Sequence, residues 1–348
     1  MSDPVERARF DAADYIKAVA ILAVVAQHTH RFRWFIPASE TESFLRGYLL
    51  CFHVPSFLLV SGFLYAGART LEWSEVRRRL ARVLVPYVIA SLLAQQLHLG
   101  LHGGLGLKLY QLATGSALGI YYFVPILVSF ILLSRPLSRC GIGTVAVLFV
   151  LSFAYIALIG WFPVLQPSAA YTALVRHFPQ LGLSEPDWKT AGFFEMRNPL
   201  HMAPFFLAGW LARLVQLRRP GLASEQRAPV LGAALAVLAA CAWYLTAPRP
   251  ELFTMYRLLY TLGVAGLCIV LAERRPAGRA VLFLGGATYA IYLFHHFFQI
   301  PLSRLADEWS PLARVPFLFA AGLSGGVAVA WLARRALGEG NARRWLGA

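Results

Sequence analysis

The chain has 348 residues, of which 58% are hydrophobic and only 14% charged, with a mean hydropathy of +0.58. A soluble domain carries about 25% charged residues, so a water-soluble globule is excluded and lipid must solvate much of the surface. The net charge of +15 reads as arginines facing anionic lipid headgroups rather than as a nucleic-acid surface.

The first apolar run follows Asp3, Glu6, Asp11 and Asp14, and no small-residue cleavage site comes after it. It is therefore expected to stay as a membrane span and not to be a signal peptide. A helical span needs about 20 mostly apolar residues. Ten segments come close: roughly 13–31, 46–66, 83–101, 117–134, 143–162, 200–217, 229–246, 255–272, 283–302 and 314–333. The fold class predicted is all-α, a polytopic transmembrane bundle of about ten spans forming a single domain over 1–348.

Orientation follows from lysine and arginine. With the N-terminus inside, the alternate loops 1–17, 67–82, 135–143, 213–228, 273–280 and 334–348 hold 21 of the 32 basic residues. Acidic residues divide almost evenly, 9 inside and 8 outside, so the bias belongs to basic charge. Both termini are expected in the cytoplasm. Cys51, Cys140, Cys241 and Cys268 lie in or beside apolar runs without CxxC spacing. They read as small apolar residues, not as a disulfide framework.

Ionisable residues inside spans are functional candidates by default. In the first span Asp14 and Lys17 are three residues apart and can pair on one helix face. His28 follows eleven residues later, about three turns and roughly 16 Å along the same face. An end-of-helix ion pair and a core histidine are the plainer readings of these residues. The second span contains Phe52-His53-Val54-Pro55 and Ser61-Gly62. A histidine and a proline there argue for a broken or cavity-lining helix, while Ser61-Gly62 also suits close helix packing. Five arginines between 69 and 82, among them Arg77, Arg78, Arg79 and Arg82, can grip phosphates in bidentate fashion or serve as cytoplasmic anchors. Tyr122, Asn198, Tyr292 and His295 are further polar candidates along the later spans. His28 with His30, and His295 with His296, have no ligating carboxylate or cysteine at a recognised spacing, so no metal is expected. The outward loop 163–199 carries Trp188, Phe193, Phe194, Glu185, Asp187, Glu195, Arg197 and Asn198. That composition suits a lid over a sugar-like ligand or an interfacial loop with aromatic anchors.

Four motifs in order give the chain a family resemblance. Asp14, Lys17 and His28 fall in one register. Phe52 to Phe63 reads Phe-His-x-Pro-x-Phe-x-x-x-Ser-Gly-Phe. Arg79 and Arg82 precede Pro86. Thr288, Tyr289, Tyr292, Leu293 and His295 form a Thr-Tyr-x-x-Tyr-Leu-x-His block. In this the chain resembles the acyltransferase 3 family of integral membrane acyltransferases over nearly its whole length. Two positions depart from the family pattern: Lys17 stands where many members have arginine, and Tyr122-Phe123 where a Trp-Phe pair is usual.

The resemblance implies transfer of an acyl group, acetyl by preference, from cytoplasmic acyl-coenzyme A to a hydroxyl of a glycan on the far side of a bacterial inner membrane. It implies His28 as base or acylated nucleophile, with Asp14 and Lys17 beside it in function. Coenzyme A phosphates would sit on Arg78, Arg79, Arg82 and Lys17. His53, Ser61, Tyr122, Asn198, Tyr292 and His295 would support or bind the acceptor. The residues alone also admit a polysaccharide or lipid-linked sugar transporter.

Overall fold

A computed structural model describes residues 4–29, 44–67, 70–97, 104–159, 161–162, 172–173, 176–177, 197–219, 225–246, 248 and 252–348. Among these the regular structure is helical throughout. The α-helices are α1 (Pro4–Gln27), α2 (His53–Tyr65), α3 (Trp73–Gln96), α4 (Leu105–Thr114), α5 (Phe123–Leu137), α6 (Ile142–Ile159), α7 (Pro199–Arg218), α8 (Arg227–Tyr244), α9 (Phe253–Arg274), α10 (Arg279–Leu305) and α11 (Pro311–Leu346). The protein is an all-α polytopic bundle. Eight of its helical segments are long and apolar enough to cross a membrane: the one ending α2, the one containing α5, and α6 to α11. Each of the ten predicted spans falls on a helix. The two outside the apolar eight, α1 and α3, are the ones bearing Asp14, Lys17 and the arginine run.

The lipid face is plain on α6 and α8. Val147, Val150 and Leu151, and Leu235 and Trp243, are exposed although large and apolar. Only lipid or a partner protein makes that favourable. On the inside, α10 packs along α11 and α1, α2 along α7, and α8 along α9. The α2–α7 contact is backbone-close because of two glycines. A Cβ at Gly62 would press into the Phe206 carbonyl, and one at Gly209 into the Leu59 carbonyl. Small residues at such crossings let helices approach without a hydrophobic driving force.

The second span is broken as its histidine and proline suggest. A π-helical turn at Leu45–Leu49 precedes α2, which begins at His53 and so places Pro55 in its first turn, where a missing N–H is tolerated. Asn198 caps α7: its Oδ1 accepts from the Leu200 N–H at 3.0 Å, with Pro199 at the first helical position. The helix α11 contains a sharp bend at Gly338, whose φ is +75°, a conformation that favours glycine. The chain beyond it turns back, and Gly347 packs against the Tyr289 ring. All four cysteines are free. Cys241 and Cys268 are buried, while Cys51 and Cys140 are partly exposed.

Candidate functional site

The basic residues gather at one mouth of the bundle. A cavity of about 810 Å³ opens there, lined by Lys17 of α1, Ser61 of α2, Arg78 and Arg82 of α3, and Arg343 and Arg344 of α11. Cavities of this size accommodate large small-molecule ligands. Lys17 Nζ pairs with Asp14 Oδ1 at 2.6 Å, and both side chains are about one-fifth exposed. Asp14 in turn lies against Gly285, where a Cβ would come within 2.7 Å of Oδ1. The glycine thus lets α10 close on α1 at the ion pair.

Within the arginine run three of the side chains, Arg78, Arg79 and Arg82, have separate fates. Arg82 lines the cavity. Arg78 also lines it and pairs with Glu75. Arg79 is engaged away from the cavity: its Nε donates to Glu75 Oε1 at 3.0 Å, its Nη1 to the Tyr65 carbonyl at 3.4 Å, and its guanidinium lies 4.6 Å from the Tyr65 ring centre. Burial pushes the Glu75 carboxyl up, but the hydrogen bond and charge of Arg79, with the charge of Arg78, outweigh this and hold it below the usual carboxylate range.

The cavity runs inward along α10. Gly285, Thr288, Tyr289 and Tyr292 line it, and positions three or four residues apart share one helix face. His295 and His296 are the next step on that face. Tyr292 is held at the inner end by a hydrogen bond from its hydroxyl to the Ile120 carbonyl, while Tyr121 donates to the Leu293 carbonyl at 2.8 Å. These two exchanged bonds fix α10 against the entry to α5.

At the end of α1, His28 meets both α10 histidines. Its ring centre lies 4.7 Å from that of His296 and 5.6 Å from that of His295. His295 is fully buried and His296 nearly so, whereas His28 is partly exposed. The His295 Nδ1 faces the Ile291 and Tyr292 carbonyls at 3.0 and 2.9 Å. Both partners only accept, so Nδ1 carries the proton and Nε2 is an acceptor. Buried Gln299 donates to the Val25 carbonyl at 3.0 Å and to the Leu318 carbonyl at 3.2 Å. It ties α1, α10 and α11 together one turn from the histidines.

The histidine cluster is not visible in linear spacing, because His28 and His295 lie 267 residues apart in the chain. The ring nitrogens that face one another lie within 4.8 Å. Tetrahedral zinc with bonds of about 2.1 Å would need them about 3.4 Å apart. Three imidazole nitrogens gathered this closely could hold a metal ion, a possibility that the linear spacing of the histidines does not suggest.

At the end of α2 away from the cavity, His53 begins the helix and its Nδ1 hydrogen-bonds the Leu50 carbonyl. It is within electrostatic reach of His295 and of Arg257 on α9. Tyr122 is partly buried nearby, within reach of Arg257 and Arg197. Asn198 Nδ2 donates to the Tyr155 hydroxyl at 3.2 Å, so both ends of that amide are used in structure. Of the 163–199 loop, only 172–173, 176–177 and 197–199 are among the described residues. Trp188, Phe193, Phe194, Glu185, Asp187 and Glu195 lie outside them, as does His30. Three basic groups join the expected set: Arg343 and Arg344, brought in by the bend at Gly338, and Arg257. The last has a signal of its own, a lone arginine inside the apolar run 255–272.

A family model described as an acyltransferase domain, acyltransferase 3, matches residues 10–335. The chain belongs to the acyltransferase 3 family. It is a multi-pass membrane acyltransferase, which decides for transferase over carrier. A search of curated proteins and one of solved structures each returned no match. The family match covers Asp14, Lys17, His28, the arginine run, His295 and His296, and stops before Gly338. Arg343 and Arg344 therefore come to this acyltransferase's cavity from outside the matched segment.

Proposed function

We propose that this acyltransferase works in the bacterial cytoplasmic membrane, passing an acyl group, acetyl by preference, from acyl-coenzyme A to a hydroxyl of an extracytoplasmic glycan. The observation that carries the reading is continuity. One face of α10 runs from the basic cavity through Tyr292 to the histidine cluster, and one face of α1 runs from Lys17 to His28. Coenzyme A is a phosphate-rich head on a long thin arm. Arg82, Arg78, Lys17, Arg343 and Arg344 supply charge-assisted donors for the head. The roughly 16 Å from Lys17 to His28 matches the arm, which brings the thioester to the histidines.

His28 acts as general base. It is the one member of the cluster with open surface, so an acceptor hydroxyl can reach it. An imidazole titrates near neutral pH, where base catalysis is efficient. As His28 takes the hydroxyl proton, the oxygen attacks the thioester carbonyl and a C–O bond forms. The tetrahedral centre collapses, the C–S bond breaks, and His28 returns the proton to the departing thiolate. The products are the acyl ester and free coenzyme A thiol. His295, with its tautomer set by two backbone carbonyls, positions the cluster. Asp14 orients Lys17. The test is release of coenzyme A thiol by purified protein given acetyl-coenzyme A and a cell-surface glycan extract. His28→Ala should lower the rate by about 10²–10⁴-fold. A wild-type rate from that variant would remove His28 from the chemistry.

A further inference from the structure

Arg257, in the outer half of the bundle, has no ion-pair partner among the described residues. Arg257 sits in the second turn of α9, at the end that the basic-residue bias places outside. Its Nε is buried and has no hydrogen-bond partner. Its Nη2 reaches only the Met202 sulfur at 3.9 Å, a weak acceptor. The Phe205 ring centre lies 5.6 Å away. No carboxylate pairs with it among the described residues, whereas Lys17 has Asp14, Arg79 has Glu75 and Arg227 has Glu273. Arg135, Arg227, Arg314 and Arg334 also carry a buried nitrogen without a hydrogen-bond partner, but Arg227 pairs with Glu273, Arg135 and Arg334 lie against the Trp73 and Phe283 rings, and Arg314 has an interaction of its own.

An uncompensated guanidinium inside a membrane protein is unfavourable and marks a ligand path. The groups around Arg257 sharpen what that ligand is. Tyr122, Cys51 and His53 lie within its electrostatic reach, and none is acidic. A second guanidinium, Arg197, acts on the same Tyr122 and donates to the Thr114 carbonyl at 2.9 Å. His53 leads on to His295, so the pair of arginines overlooks the acyl-transfer histidines from the outer side. On the flank of Arg257, Tyr244, Tyr256 and Tyr260 stack face to face, with ring centres 4.8 and 5.6 Å apart. The stack is a rigid wall of α9 and α8 beside the turn that carries Arg257.

We propose that Arg257 is a docking point for an anionic oxygen group, carboxylate or phosphate, on the acceptor, so that the acyltransferase selects acidic glycans. This rests on the acyl-transfer reading above and names the acceptor class. A planar fork of donors matches either anion in bidentate fashion. The anion held there leaves a neighbouring hydroxyl to face His28.

The test uses full-length protein in nanodiscs of zwitterionic lipid. Thermal stability is followed with millimolar glucuronate, glucose 1-phosphate or glucose, and coenzyme A binding is measured on the same discs. Glucuronate, glucose 1-phosphate or both should stabilise the wild type, and glucose should not; which of the two acts tells carboxylate from phosphate. Arg257→Gln should abolish the shift, Arg257→Lys should keep part of it, and coenzyme A affinity should be unchanged in both. An equal anion shift in Arg257→Gln, or no anion shift in the wild type, overturns the proposal. If Arg257→Gln fails to fold, loss of most of the shift in Arg257→Lys supports the proposal and a full shift overturns it. Anion-independent stability that appears only with phosphatidylglycerol discs, and only when Arg257 is present, would assign the site to lipid and overturn it as well. Coenzyme A binding reports on the donor reading separately, so failure of one is distinguishable from failure of the other.

Discussion

Arg79 and Arg82 show how one helical turn separates structure from binding. They are three residues apart at the head of α3, yet Arg79 is held by Glu75 and the end of α2, while Arg82 faces the cavity. Arg82→Ala should weaken coenzyme A binding by about ten- to a hundredfold, the worth of one or two charge-assisted hydrogen bonds. Arg79→Ala should lower thermal stability and leave that affinity near wild type. Calorimetric titration with coenzyme A, beside thermal unfolding, separates the two. Glu75 adds a pH dependence. Its carboxyl is held below the ordinary value of 4.5, so its pairing stabilises the fold above that value and the contribution is lost as pH falls beneath it. Glu75→Gln should flatten the acid side of the stability profile, as measured by unfolding temperature between neutral and acid pH.

The sequence discloses the Lys17–His28 register because both lie on one helix with a known rise. The Asn198-Pro199 cap is equally local, yet from the sequence Asn198 reads as an acceptor-binding candidate. The sequence does not disclose which arginine turns inward, since Glu75 and Tyr65 settle that through the third dimension.

At the scale of elements, the site depends on how α1, α2 and α10 are brought together. Gly285 lets α10 meet Asp14, so Gly285→Val should break the Asp14–Lys17 contact and reduce turnover even though no catalytic group changes. The Gly62 and Gly209 crossing has no room for a side chain. Gly209→Val should destabilise by at least the 1–3 kcal/mol typical of overpacking, read as loss of folded protein in detergent. Gln299 holds the end of α1 in place. Gln299→Leu should therefore lower kcat while sparing coenzyme A affinity, and Gln299→Glu should not restore it, because the carbonyls need a donor. The meeting of His28 with His295 and His296 belongs to this scale too. Each histidine is legible as a polar residue inside a span, but their proximity comes from α1–α10 packing, which no local pattern encodes. The bend at Gly338 is not read from the sequence. Its effect, bringing Arg343 and Arg344 over the mouth, needed the tertiary fold. Truncation after Gly338 should weaken coenzyme A binding if those two arginines share the phosphates, and equilibrium binding to the truncated protein checks it.

Across the whole molecule, hydropathy and the basic-residue bias predict a bundle with a direction, and the fold places a basic cavity at one of its ends. Three helices distant in sequence, α1, α3 and α11, bring basic groups to one mouth of the bundle. The histidine cluster lies deeper, and Arg257 with Arg197 stands beyond it on the outer side. Donor and acceptor would then enter from opposite faces and meet at His28. Sidedness of transfer tests this most directly. Protein is reconstituted in sealed vesicles with a single orientation, with radiolabelled acetyl-coenzyme A, which does not cross lipid, on one side and surface glycan on the other. Label should appear in the glycan only when the coenzyme faces the arginine mouth, and His28→Ala should remove it. Equal labelling from either face, or labelling only when donor and glycan share a side, would contradict a passage across the membrane.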